Sequence, residues 1–206
     1  MHWSRKKAKS SYDWQALEPR LQADEAIAWG EAYDDFFRDR LERRYLHPIR
    51  ILQTHGTYDG EGFSIAAIQC SLIEFLESTR LGKSYRYCPP GKKPGVDEYS
   101  KSKEIFTQFL MHRAPFSKTF ASQKDADEFY SCVRCGLLHE ARTTGAWLIK
   151  AKNKSGDLVA DVQAKEFYRD DFQNALEAYI MAFCVELLAD QALKRNFIKK
   201  FNTLYA

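Results

Sequence analysis

The chain has 206 residues, 45% of them apolar and 29% charged, and a formal net charge of +3 at pH 7. That length fits one domain, with or without an arm, and can bury a core without disulfide or metal staples. Neither hydrophobicity nor charge is extreme, which excludes a disordered tail, and so small a total charge gives no argument for nucleic acid unless the charges are clustered.

Met1–Ser10 carries Arg5, Lys6, Lys7 and Lys9 with no apolar run behind them, so it does not read as a signal peptide. Residues 24–45 place Trp29, Tyr33, Phe36, Phe37, Leu41 and Tyr45 near helical spacing. His47-Pro48 is expected to end that helix, and Gly56, Gly60 and Gly62 to form a loop. Residues 64–81 predict a second helix, with Ile65, Ile68, Leu72, Phe75, Leu76 and Thr79 on one face and Gly82 as its stop. Pro89, Pro90, Gly91, Pro94 and Gly95 forbid a continuous helix through 83–103. A short helix is expected over 103–112.

Ser122 begins an S-x-x-D helix start. Ala126, Phe129, Tyr130, Val133 and Leu137 follow as an apolar stripe. Residues 146–151 and 157–162 alternate like strands, and 153–156 read as the turn of a hairpin joining them. A last long helix begins near Asp170, with Phe172, Ala175, Leu176, Tyr179, Ile180, Phe183 and Leu187 as its buried stripe. Its most apolar part, 178–189, is short and contains Glu186, so no membrane span is expected. The fold expectation is mainly all-α: a bundle of four to six helices with a small β-hairpin before the last long helix. Residues 1–60 would be an arm and helix on a bundle formed by 61–206, all in one globular unit.

The five cysteines are odd in number and irregularly placed. They read as reduced thiols of a cytoplasmic protein. Cys132 and Cys135 form a single C-x-x-C with no second pair to complete a zinc site, so no metal is expected. Phosphate-loop, dinucleotide, HExxH and serine-elbow patterns are absent.

Arg134-Cys-Gly-Leu-Leu-His139 is an R-x4-H. The pattern alone is weak, since Arg50 and His55 make a second copy. The Arg50 copy runs into the glycine-rich loop, whereas the Arg134 copy ends a well-formed amphipathic helix. At about 100° per residue, Glu128, Cys132, Cys135, His139 and Arg142 fall opposite the core stripe. Two cysteines are unusual on a solvated face, and a subunit seam would account for them.

The segment Tyr130–Thr143, YSCVRCGLLHEART, within a helical bundle resembles the R-x4-H motif of the HEPN superfamily. The resemblance is close over the motif helix and general in pattern from residue 64 onward. It implies a homodimer whose composite cleft cuts RNA without metal or other cofactor, with Arg134 and His139 as the catalytic pair. Proteins of this type act as toxins or in phage defence, some with a cognate antitoxin or regulatory protein. Many active members carry Asn, Asp or His where this chain has Cys135. An H-x-Y sequence marks regulation by an adenylylating antitoxin, and Glu140-Ala141 stands there instead. The residue types suit the chemistry, because a near-neutral histidine can move the 2′-OH proton and an arginine can clamp a phosphate. Glu140 and Arg142 flank the pair and can orient the histidine or meet phosphate.

Three basic clusters carry +4 each, at 1–10, 83–103 and 194–200, so the remainder carries −9. The middle cluster interleaves Lys83, Arg86, Lys92 and Lys93 with Tyr85, Tyr87 and Tyr99, a composition that suits single-stranded RNA. Lys83, Arg86, Tyr87, Lys92 and Lys93 are the expected RNA contacts. His2, His47 and His112 have no partner pattern. Two further readings stay open: a non-catalytic HEPN-like module binding nucleotide, RNA or a partner protein, and an unrelated helical interaction protein.

Overall fold

Ser10 opens the first helix, α1 (Ser11–Gln22). Its hydroxyl accepts from the Asp13 amide, and the Asp13 carboxylate accepts from the Ser10 amide. This reciprocal cap satisfies amides that every helix start leaves without partners. The structure, a computed structural model, describes residues 8–56, 60–156 and 158–206. Arg5, Lys6, Lys7 and His2, and Asp157 of the expected hairpin, lie outside them.

Residues 26–55 form one continuous helix, α2, with two π-helical stretches, Ala32–Arg38 and Glu42–Leu46. The expected break at His47-Pro48 does not occur. The His47 amide bonds the Glu42 carbonyl five residues back. This wide turn comes just before the proline, where an α turn would press its ring against the carbonyl of residue 44. Helix α3 (Glu61–Arg80) starts slightly earlier than expected and stops at Gly82, whose φ is +67°. A Cβ there would lie 2.9 Å from the Asn196 backbone, so glycine serves both the left-handed turn and the close approach of the last helix.

After α3 come two short parallel strands, β1 (Ser84–Tyr85) and β2 (Glu98–Tyr99), then α4 (Ser102–His112). Ser122 caps α5, residues 123–140, by accepting from the Asp125 amide at 3.2 Å. Next come β3 (Leu148–Lys150), β4 (Ala160–Asp161) and β5 (Glu166–Tyr168). The hairpin expected between 146–151 and 157–162 is corrected. Those two strands do not pair, and β5 lies between them, parallel to β3 and antiparallel to β4. The true reversal is at 162–165, where the Asp161 carboxylate accepts from the Gln163 and Ala164 amides and Lys165 takes a φ of +55°.

Helix α6 (Arg169–Ala189) and helix α7 (Gln191–Leu204) are separated by Asp190, which caps α7 by accepting from the Ala192 and Leu193 amides. The fold is mainly α, with seven helices among the described residues instead of four to six. Every residue of the expected α6 stripe is buried. Its other side leaves Met181, Val185 and Leu188 exposed at helical spacing. By length and composition alone α6 could cross a membrane, although its Phe172–Leu187 stripe is built into the core.

A single hydrophobic cluster joins residues from Trp14 to Phe201. Trp14 meets Phe36 at 5.2 Å and Phe201 at 5.3 Å, so α1, α2 and α7 close one end. Phe129 meets Trp147 and Phe167, each at 5.3 Å, which seats α5 on the small sheet. Within this interior Glu77, 0% exposed, is held by Arg113 through two bonds of 2.9 and 2.7 Å. That fork joins α3 to the end of α4 and supplies both partners that a buried carboxylate requires.

Candidate functional site

Of the expected stripe, Ala126, Phe129, Val133 and Leu137 are buried and seat the Arg134 helix, whereas Tyr130 is half-buried. Its middle, Tyr130–Cys135, is π-helical. One wide turn carries an extra residue and displaces the angular arithmetic of an ideal α-helix by about 100°. The Cys132 carbonyl takes its bond from outside the helix, from the Thr144 amide at 2.9 Å.

The helix ends where Ala141 adopts a φ of +54°, and the chain folds back along it. Gly136 permits this, because a Cβ there would lie 2.6 Å from the Arg142 carbonyl oxygen. Gly145, at φ +60°, lies directly over the Cys132 thiol. The expected ionisable second face is therefore not one surface. Glu128 pairs with Lys165 at 2.6 Å, Cys132 is covered by the returning loop, and Cys135 lies against Tyr130 and Arg134. Only His139 and Arg142 of that set are exposed. The cysteines are shielded by this chain itself, so their position no longer calls for a subunit seam.

Arg134 is half-buried. Its Nη2 donates to Glu74 Oε2 on α3 at 3.3 Å, and its guanidinium lies 5.3 Å from the centre of the Tyr130 ring. Burial works against its charge, but Tyr130, Glu74 and Cys135 outweigh burial and raise its pKa further. Burial also pushes the Tyr130 phenol up to about 12. Glu74 is a shared hub, since its Oε1 accepts from the Tyr99 hydroxyl at 3.0 Å and the Ser102 hydroxyl at 2.7 Å. Nothing in the sequence pattern of α3 singled Glu74 out. It falls between apolar positions and reads as an ordinary helix carboxylate.

His139 and Glu140 are exposed at the end of α5, beside Leu138, which is 49% exposed. Among the described residues no hydrogen bond or ion pair holds the side chain of His139, Glu140 or Arg142. The second R-x4-H copy differs in its counter-charges. Arg50 is neutralised by two carboxylates, Glu42 and Glu177, whereas Arg134 has one, which two hydroxyls also share.

Of the expected RNA contacts, Arg86, Tyr87, Lys92 and Lys93 are exposed on the 83–103 loop, and Lys83 is half-buried. The fold brings this loop against α7, where Lys199 pairs with Asp97 at 2.8 Å and Lys200 donates to the Lys83 carbonyl at 2.9 Å. The 194–200 cluster is thus largely consumed internally. Lys194 pairs with Asp24 at 2.6 Å and is 7% exposed, and Lys200 is 5% exposed. Of the first cluster, Lys9 pairs with Asp35 at 3.2 Å.

All five cysteines are free thiols, and no group of three or more metal-binding side chains occurs among the described residues. No family model, curated protein or solved structure matches this chain.

Proposed function

We propose that the chain is a metal-independent endoribonuclease of the HEPN type, cytoplasmic and homodimeric, acting as a toxin or in phage defence. Arg134 and His139 are its catalytic pair, and no cofactor takes part. The observation that carries this reading is the setting of Arg134. It lies in a π-helical turn, a feature enriched at functional sites. Glu74 and Tyr130 fix it at a half-exposed surface, and a single shared carboxylate leaves guanidinium donors for a phosphate.

In the reaction the 2′-OH attacks the adjacent phosphorus and the 5′-oxygen departs. The products are a 2′,3′-cyclic phosphate and a 5′-OH end. One histidine accepts the 2′ proton and another, from the second protomer, supplies a proton to the leaving oxygen. Arg134 stabilises the charge that builds on the phosphoryl oxygens. DNA lacks the nucleophile and is not a substrate. Arg86, Tyr87, Lys92 and Lys93 guide the strand by phosphate contact and stacking.

A second reading is favoured by the same ion pair. If Glu74 is the permanent partner of Arg134, the chain is a non-catalytic module that binds RNA, nucleotide or a partner protein. Purified protein incubated with structured and unstructured RNA in excess EDTA separates the two. Cleavage lost in both His139→Ala and Arg134→Ala supports the nuclease. Equal cleavage by wild type and both variants, or none by any of them, refutes it.

A further inference from the structure

Between α3, α7 and the strands β1 and β2 lies a cavity of about 400 Å³. Phe75, Tyr85 and Leu204 form its apolar walls, and Glu74, Ser84 and Lys200 are among the polar groups that also line it. Lys200 is 5% exposed, with no ion-pair partner among the described residues. An ammonium has three donors, and the Lys83 carbonyl takes one at 2.9 Å. The next residue along the chain, Ser84, also lines the cavity, and its hydroxyl is buried without a hydrogen-bond partner among the described residues. Lys200 and Arg40 both lie within 6 Å of the Phe75 ring, at 5.7 and 5.9 Å, so a second cation is close. Glu74, which lines the same cavity, already answers Arg134, Tyr99 and Ser102.

Burying an ammonium without a counter-ion is costly, and so is burying an unpaired hydroxyl. Both defects meet in one cavity and an anionic oxygen group would cure both, while the apolar walls have room for the body that carries it. We infer that this cavity binds a small organic anion, with its phosphate or carboxylate on Lys200 and Ser84 and a flat apolar body against Phe75, Tyr85 and Leu204. The cavity shares Glu74 with the Arg134 network, but the anion site on Lys200 and Ser84 does not depend on the nuclease reading.

The test is calorimetric titration of the full chain with phenyl phosphate, benzoate and the neutral benzyl alcohol. At least one anion is expected to bind saturably at about millimolar concentration or below, and benzyl alcohol about tenfold or more weaker. The two anions distinguish phosphate from carboxylate. Lys200→Met, which keeps an unbranched stem without the charge, is expected to lose about tenfold or more in anion affinity, and Ser84→Ala a smaller factor. Circular dichroism of both variants excludes unfolding as the cause. Three results would each overturn the inference: no saturable binding of either anion, equal binding of benzyl alcohol, or undiminished binding by folded Lys200→Met.

Discussion

Replacing Lys200 with methionine is expected to stabilise the protein at neutral pH, against the usual direction for a core substitution. Burial, with Arg40 adding to it and Glu74 opposing, lowers the ammonium pKa from 10.5 to about 8. At about 1.4 kcal/mol per pH unit, that fall is a penalty on the order of 3 kcal/mol for keeping the group charged in the fold. Methionine removes the penalty and keeps an unbranched stem over Phe75. It forfeits the cation–ring attraction and the bond to the Lys83 carbonyl, together about 1–2 kcal/mol, which leaves a net gain of about 1–2 kcal/mol. The folded-state pKa lies below the unfolded one, so the unfolded chain holds more protons between about pH 8 and pH 10.5. The wild-type penalty is complete below that window and fades as pH rises through it. Of the other groups facing Lys200, Tyr99 is held protonated by burial and Glu74. Urea denaturation at about pH 7 and about pH 10 measures the difference. A variant less stable than wild type at the lower pH, or a difference that does not change with pH, would refute the argument.

Two further substitutions probe what seats the motif helix and its neighbours. Arg113→Met strands the Glu77 carboxylate, which is 0% exposed; it should cost about 3–5 kcal/mol in the same assay. Gly136→Ala forces a methyl to within 2.6 Å of the Arg142 carbonyl oxygen. It should cost about 1–3 kcal/mol, and the Thr144 amide, which bonds the Cys132 carbonyl, should exchange with solvent faster.

The helices that the residues announced are those whose stripes are long and apolar. Phe172 to Leu187 on α6 is such a stripe, and Phe129, Val133 and Leu137 on α5 is another. Helix α7 has an equally plain stripe, since Leu193, Phe197 and Phe201 are all buried at helical spacing, but Lys194, Arg195, Lys199 and Lys200 in the same span resemble a basic surface. The strand β5 escaped because Glu166–Tyr168 is three residues long and abuts a helix. Too short to show an alternating pattern, it falls in the unassigned stretch before the helix expected near Asp170, which leaves its two neighbours to read as a hairpin. The π turns account for the remaining differences. They carried α2 through Pro48 and divided the supposed second face of α5, and periodicity at 3.6 residues per turn contains no signal for either. At the site, the sequence supplied Arg134 and His139 as candidates. Glu74 and Lys200 needed the fold, because their meaning lies in what surrounds them and their spacing carries none.

Glu74 decides between the two readings of Arg134. If the arginine clamps an RNA phosphate with its remaining donors, that phosphate must compete with the charge of Glu74, whose Oε2 accepts from the guanidinium at 3.3 Å. The carboxylate is then a competitor that also keeps the empty site in place. Glu74→Gln retains an oxygen for the Tyr99 and Ser102 hydroxyls, which bond Oε1, and withdraws the charge that Arg134 answers. Affinity for an RNA made uncleavable by 2′-deoxy substitution should rise about three- to tenfold, equivalent to roughly 1 kcal/mol. Fluorescence anisotropy reads it directly. The gain should vanish when Arg134→Ala is added, since a double-mutant cycle isolates the pair. Unchanged affinity in Glu74→Gln would mean that Arg134 serves the fold alone. A gain that survives the loss of Arg134 would mean that the carboxylate repels RNA from some other cation.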